Sequence, residues 1–71
     1  MNPFIYRLRD PKFAPFITAR ILGEYHYPYK GLTYFEVEIT DSRKPVAIQT
    51  SITPIWGGKH FREVFEIDGL A

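Results

Sequence analysis

The chain has 71 residues, no cysteine, and nine cationic side chains against eight anionic ones, for a net charge of +1. That length suits a single small domain over residues 1–71, and the lack of thiols excludes a disulfide framework and any thiolate metal site. The near-neutral balance falls short of the electrostatic footprint expected of a dedicated nucleic-acid binder.

The charges are unevenly spread. Residues 1–30 hold five cations and two anions, whereas residues 31–71 hold four cations and six anions. No apolar run approaches the roughly 20 residues that cross a bilayer. The opening "MNPFIYRLRD" places charges where a signal peptide would be apolar, so the expected location is cytoplasmic. Phe, Tyr, Ile, Val and Thr are abundant, and these side chains suit a pleated, half-buried surface. Six prolines and five glycines punctuate the chain at intervals suited to short strands.

Residues 1–15 read as a strand or extended arm and a turn. "FIYRLR" (4–9) alternates moderately, then "DPKFAP" stops it: Asp10 before Pro11 caps a single turn, and Pro15 opens the next extended run. Residues 16–40 read as a hairpin. Ile17, Ala19, Ile21, Tyr25 and Tyr27 share one phase of its first strand, and Phe35, Val37 and Ile39 share one phase of the second. Matching the apolar phases selects a three-residue loop, Tyr29-Lys30-Gly31, with Gly31 left-handed. That register pairs Tyr25 with Phe35, Gly23 with Val37 and Ile21 with Ile39, and it turns Tyr25 and Tyr27 inward. "TDSRKP" (40–45) is a turn.

Residues 46–68 read as a second hairpin. "VAIQTSITPIW" alternates from Val46 to Trp56, and Pro54 predicts an edge or a bulge there. Gly57-Gly58 is a two-residue turn signal that pairs Trp56 with Lys59 and Thr50 with Phe65, leaving Ile52 opposite Glu63. Phe61, Val64 and Phe65 also have helical spacing, so 60–68 has an alternative reading as a short helix. Trp56 is expected to plug one end of the core. The fold class is all-β: a small antiparallel meander of four or five strands, forming a barrel or half-barrel. In general shape the pattern resembles small SH3-like or OB-like barrels.

No motif joins Ser42, Ser51, His26 and His60 into a catalytic set, and the chain is read as a non-enzyme without cofactor or metal. A metal site from His26, Glu24 and Glu36 would need a closed geometry that their spacing does not supply. The expected function is a small non-catalytic module that occupies a larger protein partner, as adaptor or inhibitor. Its candidate surface is the outer face and tip of the first hairpin: Glu24, His26, Tyr29, Lys30, Tyr34, Glu36 and Glu38. Tyrosine suits interfaces because its large ring loses little entropy and its hydroxyl stays wet. Glu24 is expected opposite Glu36, a like-charged pair that calls for Arg20, Arg43 or Arg62 as a neutralising cation. The alternative is a nucleic-acid-binding barrel using Arg7, Arg9, Lys12, Arg20 and Lys30 with neighbouring aromatics. A third reading is a self-assembling subunit, a homodimer through edge strands.

Overall fold

A computed structural model describes residues 2–28 and 31–71. Its elements run β1 (Phe4–Leu8), β2 (Ile17–Tyr27), β3 (Leu32–Asp41), a 3-10 turn (Val46–Ile48), β4 (Thr50–Gly57), α1 (Gly58–Val64) and β5 (Phe65–Leu70). The strands form one antiparallel sheet in the order β4-β3-β2-β1-β5. The expected all-β antiparallel architecture is present. β4 and β5 are the two edges of this open sheet, and α1 links them.

Phe61 explains why the sheet curls. It is 1% exposed, and its ring meets Tyr6 of β1, Phe35 of β3, Trp56 of β4 and Phe65 of β5 with centroids 4.8–6.0 Å apart. One helical side chain thus touches four strands, and the sheet must wrap around it. Ala19, Ile21, Phe35, Val37 and Phe65 complete the buried core. Trp56 is half-buried at its margin, stacked on His60 and packed edge-on against Phe65, which agrees with its expected plugging role.

The second hairpin does not form. β4 pairs with β3, and β5 crosses the molecule to pair with β1. Gly57-Gly58 leads into a helix because Gly58 must pass under β3. A Cβ there would lie 3.0 Å from the Thr33 carbonyl oxygen. The helical and extended readings of 60–68 each hold for part of the segment, with the change at Phe65. Ile52 faces Glu38, so the misfit against Glu63 disappears. Residues 46–48 are a 3-10 turn rather than strand, closed by the Ile48 N–H donating to the Pro45 carbonyl.

The first hairpin forms with a different register. Tyr27 pairs with Leu32, so residues 28–31 separate the strands, and the predicted three-residue loop is not the one adopted. Tyr29 and Lys30 lie outside the described residues; Gly31 has φ 59°, the left-handed conformation expected of it. Pairing then runs through Tyr25 with Tyr34, Glu24 with Phe35 and Gly23 with Glu36, skips Leu22, and resumes with Ile21 opposite Val37 and Ala19 opposite Ile39. Leu22 is the extra residue of a β-bulge. A second irregularity lies across β3, where Pro54 and Ile55 fall between Thr53 (opposite Val37) and Trp56 (opposite Phe35). Bulges bend a strand and increase its twist. Here they flank Glu36 from both sides, where the sheet turns over α1. Pro54 sits at an edge and a bulge, as expected.

At the far end, two loops lock together. The Ser42 N–H donates to the Phe16 carbonyl at 2.9 Å. The Arg43 guanidinium donates twice to the Asp41 carboxylate, at 2.9 and 2.8 Å, and lies 5.2 Å from the Phe13 ring centroid and 5.7 Å from that of Phe16. The Arg43 side-chain hydrogen bond holds the Asp41 carboxyl down to about 2, against a smaller upward push from burial.

Candidate binding surface

Directly opposed residues of an antiparallel pair share a face. Tyr34 therefore lies on the same face as Tyr25, and Leu32 on the same face as Tyr27; alternation puts all four together on the outward side of the hairpin tip. Tyr25 is 51% exposed, Tyr27 52% and Leu32 42%. The Tyr27 and Tyr34 rings meet edge-to-face with centroids 5.2 Å apart. Gly23 makes room for this cluster: a Cβ there would come within 3.3 Å of the Tyr25 hydroxyl, so the ring folds back over bare backbone. The molecule measures 41 × 24 × 19 Å, and the β2–β3 tip reaches beyond the part of β2 that β1 covers, which is limited to Thr18 and Ala19.

Moving down the same face, Glu36 stands opposite Gly23, and Glu38 lies between Arg20 of β2 and Ile52 of β4. The next row is Thr18, Thr40 and Thr50, with Thr40 and Thr50 hydroxyls 3.3 Å apart. Tyr34, Glu36 and Glu38 are all half-buried.

The predicted surface thus splits. Tyr34, Glu36 and Glu38 share the outward face as expected. Glu24 and His26 are exposed but belong to the opposite face, where Glu24 faces Phe35 and His26 Nδ1 lies 3.1 Å from the Thr33 hydroxyl. Tyr29 and Lys30 fall outside the described residues. The opposed Glu24–Glu36 pair does not exist, because Gly23 occupies that position. Of the proposed neutralising cations, Arg20 faces Glu38, Arg43 binds Asp41, and Arg62 lies over the Phe35 ring at 5.5 Å. Tyr25 and Tyr27, expected inside, face out. Gly23 in mid-strand was the signal for this, since an interior glycine marks bulges and close approaches.

Of the described cations of the alternative site, Arg7 and Arg9 are ion-paired within this chain and Arg20 stands opposite Glu38. Arg7 binds Glu66 at 2.9 Å and Asp68 at 3.3 Å. Arg9 reaches Glu66 at 3.3 Å and donates to the Arg62 carbonyl at 2.8 Å. Lys12 lies 5.4 Å from the Phe13 ring centroid. Lys30 is not among the described residues. Among the described residues no three His, Asp or Glu side chains converge as metal ligands, and no helix is long and apolar enough to cross a membrane. Comparison with protein-family models, curated proteins and solved structures found no match to this chain.

Proposed function

We propose that the chain is a non-catalytic module that binds a larger protein, as adaptor or inhibitor, through the outward face of the β2–β3 tip. The observation that carries this reading is the contiguous, solvent-facing cluster of Tyr25, Tyr27, Leu32 and Tyr34, bordered by Glu36. An aromatic centre with a polar rim is the composition of a protein-binding patch, and its tyrosines bring large, stiff contact area. Glu36 has only glycine opposite it on β2, which favours a partner with a basic group at that position. The nucleic-acid reading ranks second, because Arg7, Arg9 and Arg20 each face a carboxylate of this chain.

The test is affinity capture from native lysate, with and without nuclease, using the wild-type chain, Tyr27→Ala/Tyr34→Ala and Glu36→Lys. The aromatic double variant is expected to lose a nuclease-resistant protein that the wild type retains, and Glu36→Lys to weaken its capture. Both variants should stay folded by circular dichroism. Undiminished capture by both variants would show that this surface is not the binding site, and recovery abolished by nuclease would favour the alternative.

A further inference from the structure

The β4 edge differs from the rest of the surface. Residues 45–58 carry no charged side chain, and within them Val46, Ile48, Ile52 and Ile55 are 86%, 60%, 57% and 67% exposed. Edge strands are normally blunted with charge, proline or a bulge; β4 has Pro54 and a bulge towards its C-terminal end but no charge along Thr50–Thr53. The opposite edge, β5, follows that rule with Glu66 and Asp68 ion-paired to Arg7.

The phase of the β3–β4 ladder shows what this edge offers. The Asp41 N–H donates to the Gln49 carbonyl at 2.9 Å, which makes 41 and 49 a hydrogen-bonded pair. Counting along the register, 39 with 51 and 37 with 53 are of the same kind, while 40 with 50 and 38 with 52 are not. The short Thr40–Thr50 hydroxyl contact agrees, since side chains approach more closely in the non-bonded pairs. The backbone N–H and C=O groups of Thr50 and Ile52 therefore point away from β3, into the open edge. Pro54 falls in the same phase, so its missing N–H removes nothing from the β3–β4 ladder.

We propose that this edge pairs with the same edge of a second copy, antiparallel about a two-fold axis at Ile52. A continuous sheet requires outward residues to meet outward residues, so the axis must pass through a residue rather than between two. Centring on Ile52 pairs Ile52 with Ile52 of the second copy, Ser51 with its Thr53, and Thr50 with its Pro54. The Ile52 N–H and C=O groups bond reciprocally, and the Thr50 N–H donates to the Pro54 carbonyl. No like charges are opposed. Self-pairing through β5 would instead bring together the acids of two copies. This self-complementarity singles out a second copy over an unrelated extended peptide, and the dimer leaves the β2–β3 tip free.

The test is sedimentation equilibrium of the full chain from micromolar to millimolar concentration, with Ile52→Lys and Ile52→Glu run alone and mixed. The wild type is expected to show a monomer–dimer equilibrium. Each variant alone should associate about tenfold more weakly or less, because the substituted charge meets itself. Mixing the two should restore a dimer, since opposite charges then meet. A wild type that stays monomeric throughout, an open-ended series of larger species, or failure of the mixture to re-associate would overturn the proposal. Circular dichroism confirms that each variant is folded. Tyr27→Ala/Tyr34→Ala should dimerise as the wild type does, which separates this seam from the partner-binding surface.

Discussion

A methyl group on Gly58 would sit 3.0 Å from the Thr33 carbonyl oxygen and 3.4 Å from the Phe35 ring. Both neighbours belong to β3, and neither is the loose end of a flexible chain. Alanine favours a helix over glycine by up to about 1 kcal/mol, so propensity alone predicts that Gly58→Ala stabilises α1. Overpacking costs about 1–3 kcal/mol and should win. A lower urea midpoint for Gly58→Ala is expected; an unchanged or higher one would mean that α1 can lift away from β3. Asp41 makes a prediction of different form. Its folded pKa lies near 2, below the ordinary 3.8, so the stability it contributes is complete above about pH 4 and is lost as pH falls through 3.8 toward 2. The melting temperature of Asp41→Asn should therefore lie below wild type at pH 7 and converge on it near pH 2. A gap of constant size across that range would show that the Arg43 contact contributes no pH-dependent stability.

At the scale of elements, the bulge at Leu22 decides which groups the hairpin presents. Because Leu22 has no partner, deleting it makes Ile21–Val37 and Gly23–Glu36 consecutive pairs without altering any other. A one-residue deletion inside a strand ordinarily reverses every later side chain; this one should not. The Leu22-deleted chain is expected to fold with a lower melting temperature, since the bend over α1 is relaxed, and to keep the Tyr25–Tyr34 proximity as a cross-strand NOE. A Glu24–Tyr34 contact in its place would contradict the register. The same bulge marks the limit of what was legible beforehand. Strict alternation identified β2, β3 and the inward run Phe35, Val37 and Ile39, because burial of one face imposes a period of two on each strand. The pairing between them was displaced, because a single unpaired residue leaves that period intact on both sides while shifting their phase. Gly57-Gly58 misled for a related reason. A glycine pair signals freedom from side-chain bulk, and here that freedom serves close packing of α1 under β3 rather than a tight turn. The crossing of β5 to β1 had no local signal, although Arg7 and Arg9 with Glu66 and Asp68 form the charge pattern of the pair.

Across the whole molecule, stability should be graded along the long axis. The buried side chains of the β2–β3 hairpin are Ala19, Ile21, Phe35, Val37 and Asp41, whereas residues 24–27 are all exposed. β1 leaves β2 after Ala19, so from there β2 is paired with β3 alone, and β4 pairs with β3 no further than Tyr34, so the tip past the Tyr25–Tyr34 pair is a two-stranded ribbon, which is marginal in water. A domain of this size has little stability to spread, and segments with few buried contacts open far more often than the core. Backbone amides of residues 24–27 that bond to β3 are therefore expected to exchange at least about 100-fold faster than that of Ala19, which lies between β1 and β3, by local rather than global opening. A partner seated on Tyr25, Tyr27 and Tyr34 should raise protection chiefly at these fast sites, because only there is opening cheaper than unfolding. Hydrogen exchange read by NMR on the free chain decides the first point. Protection at the tip equal to that at Ala19 would mean that the hairpin is rigid to its end, and that its aromatic face is held ready for binding without being ordered by it.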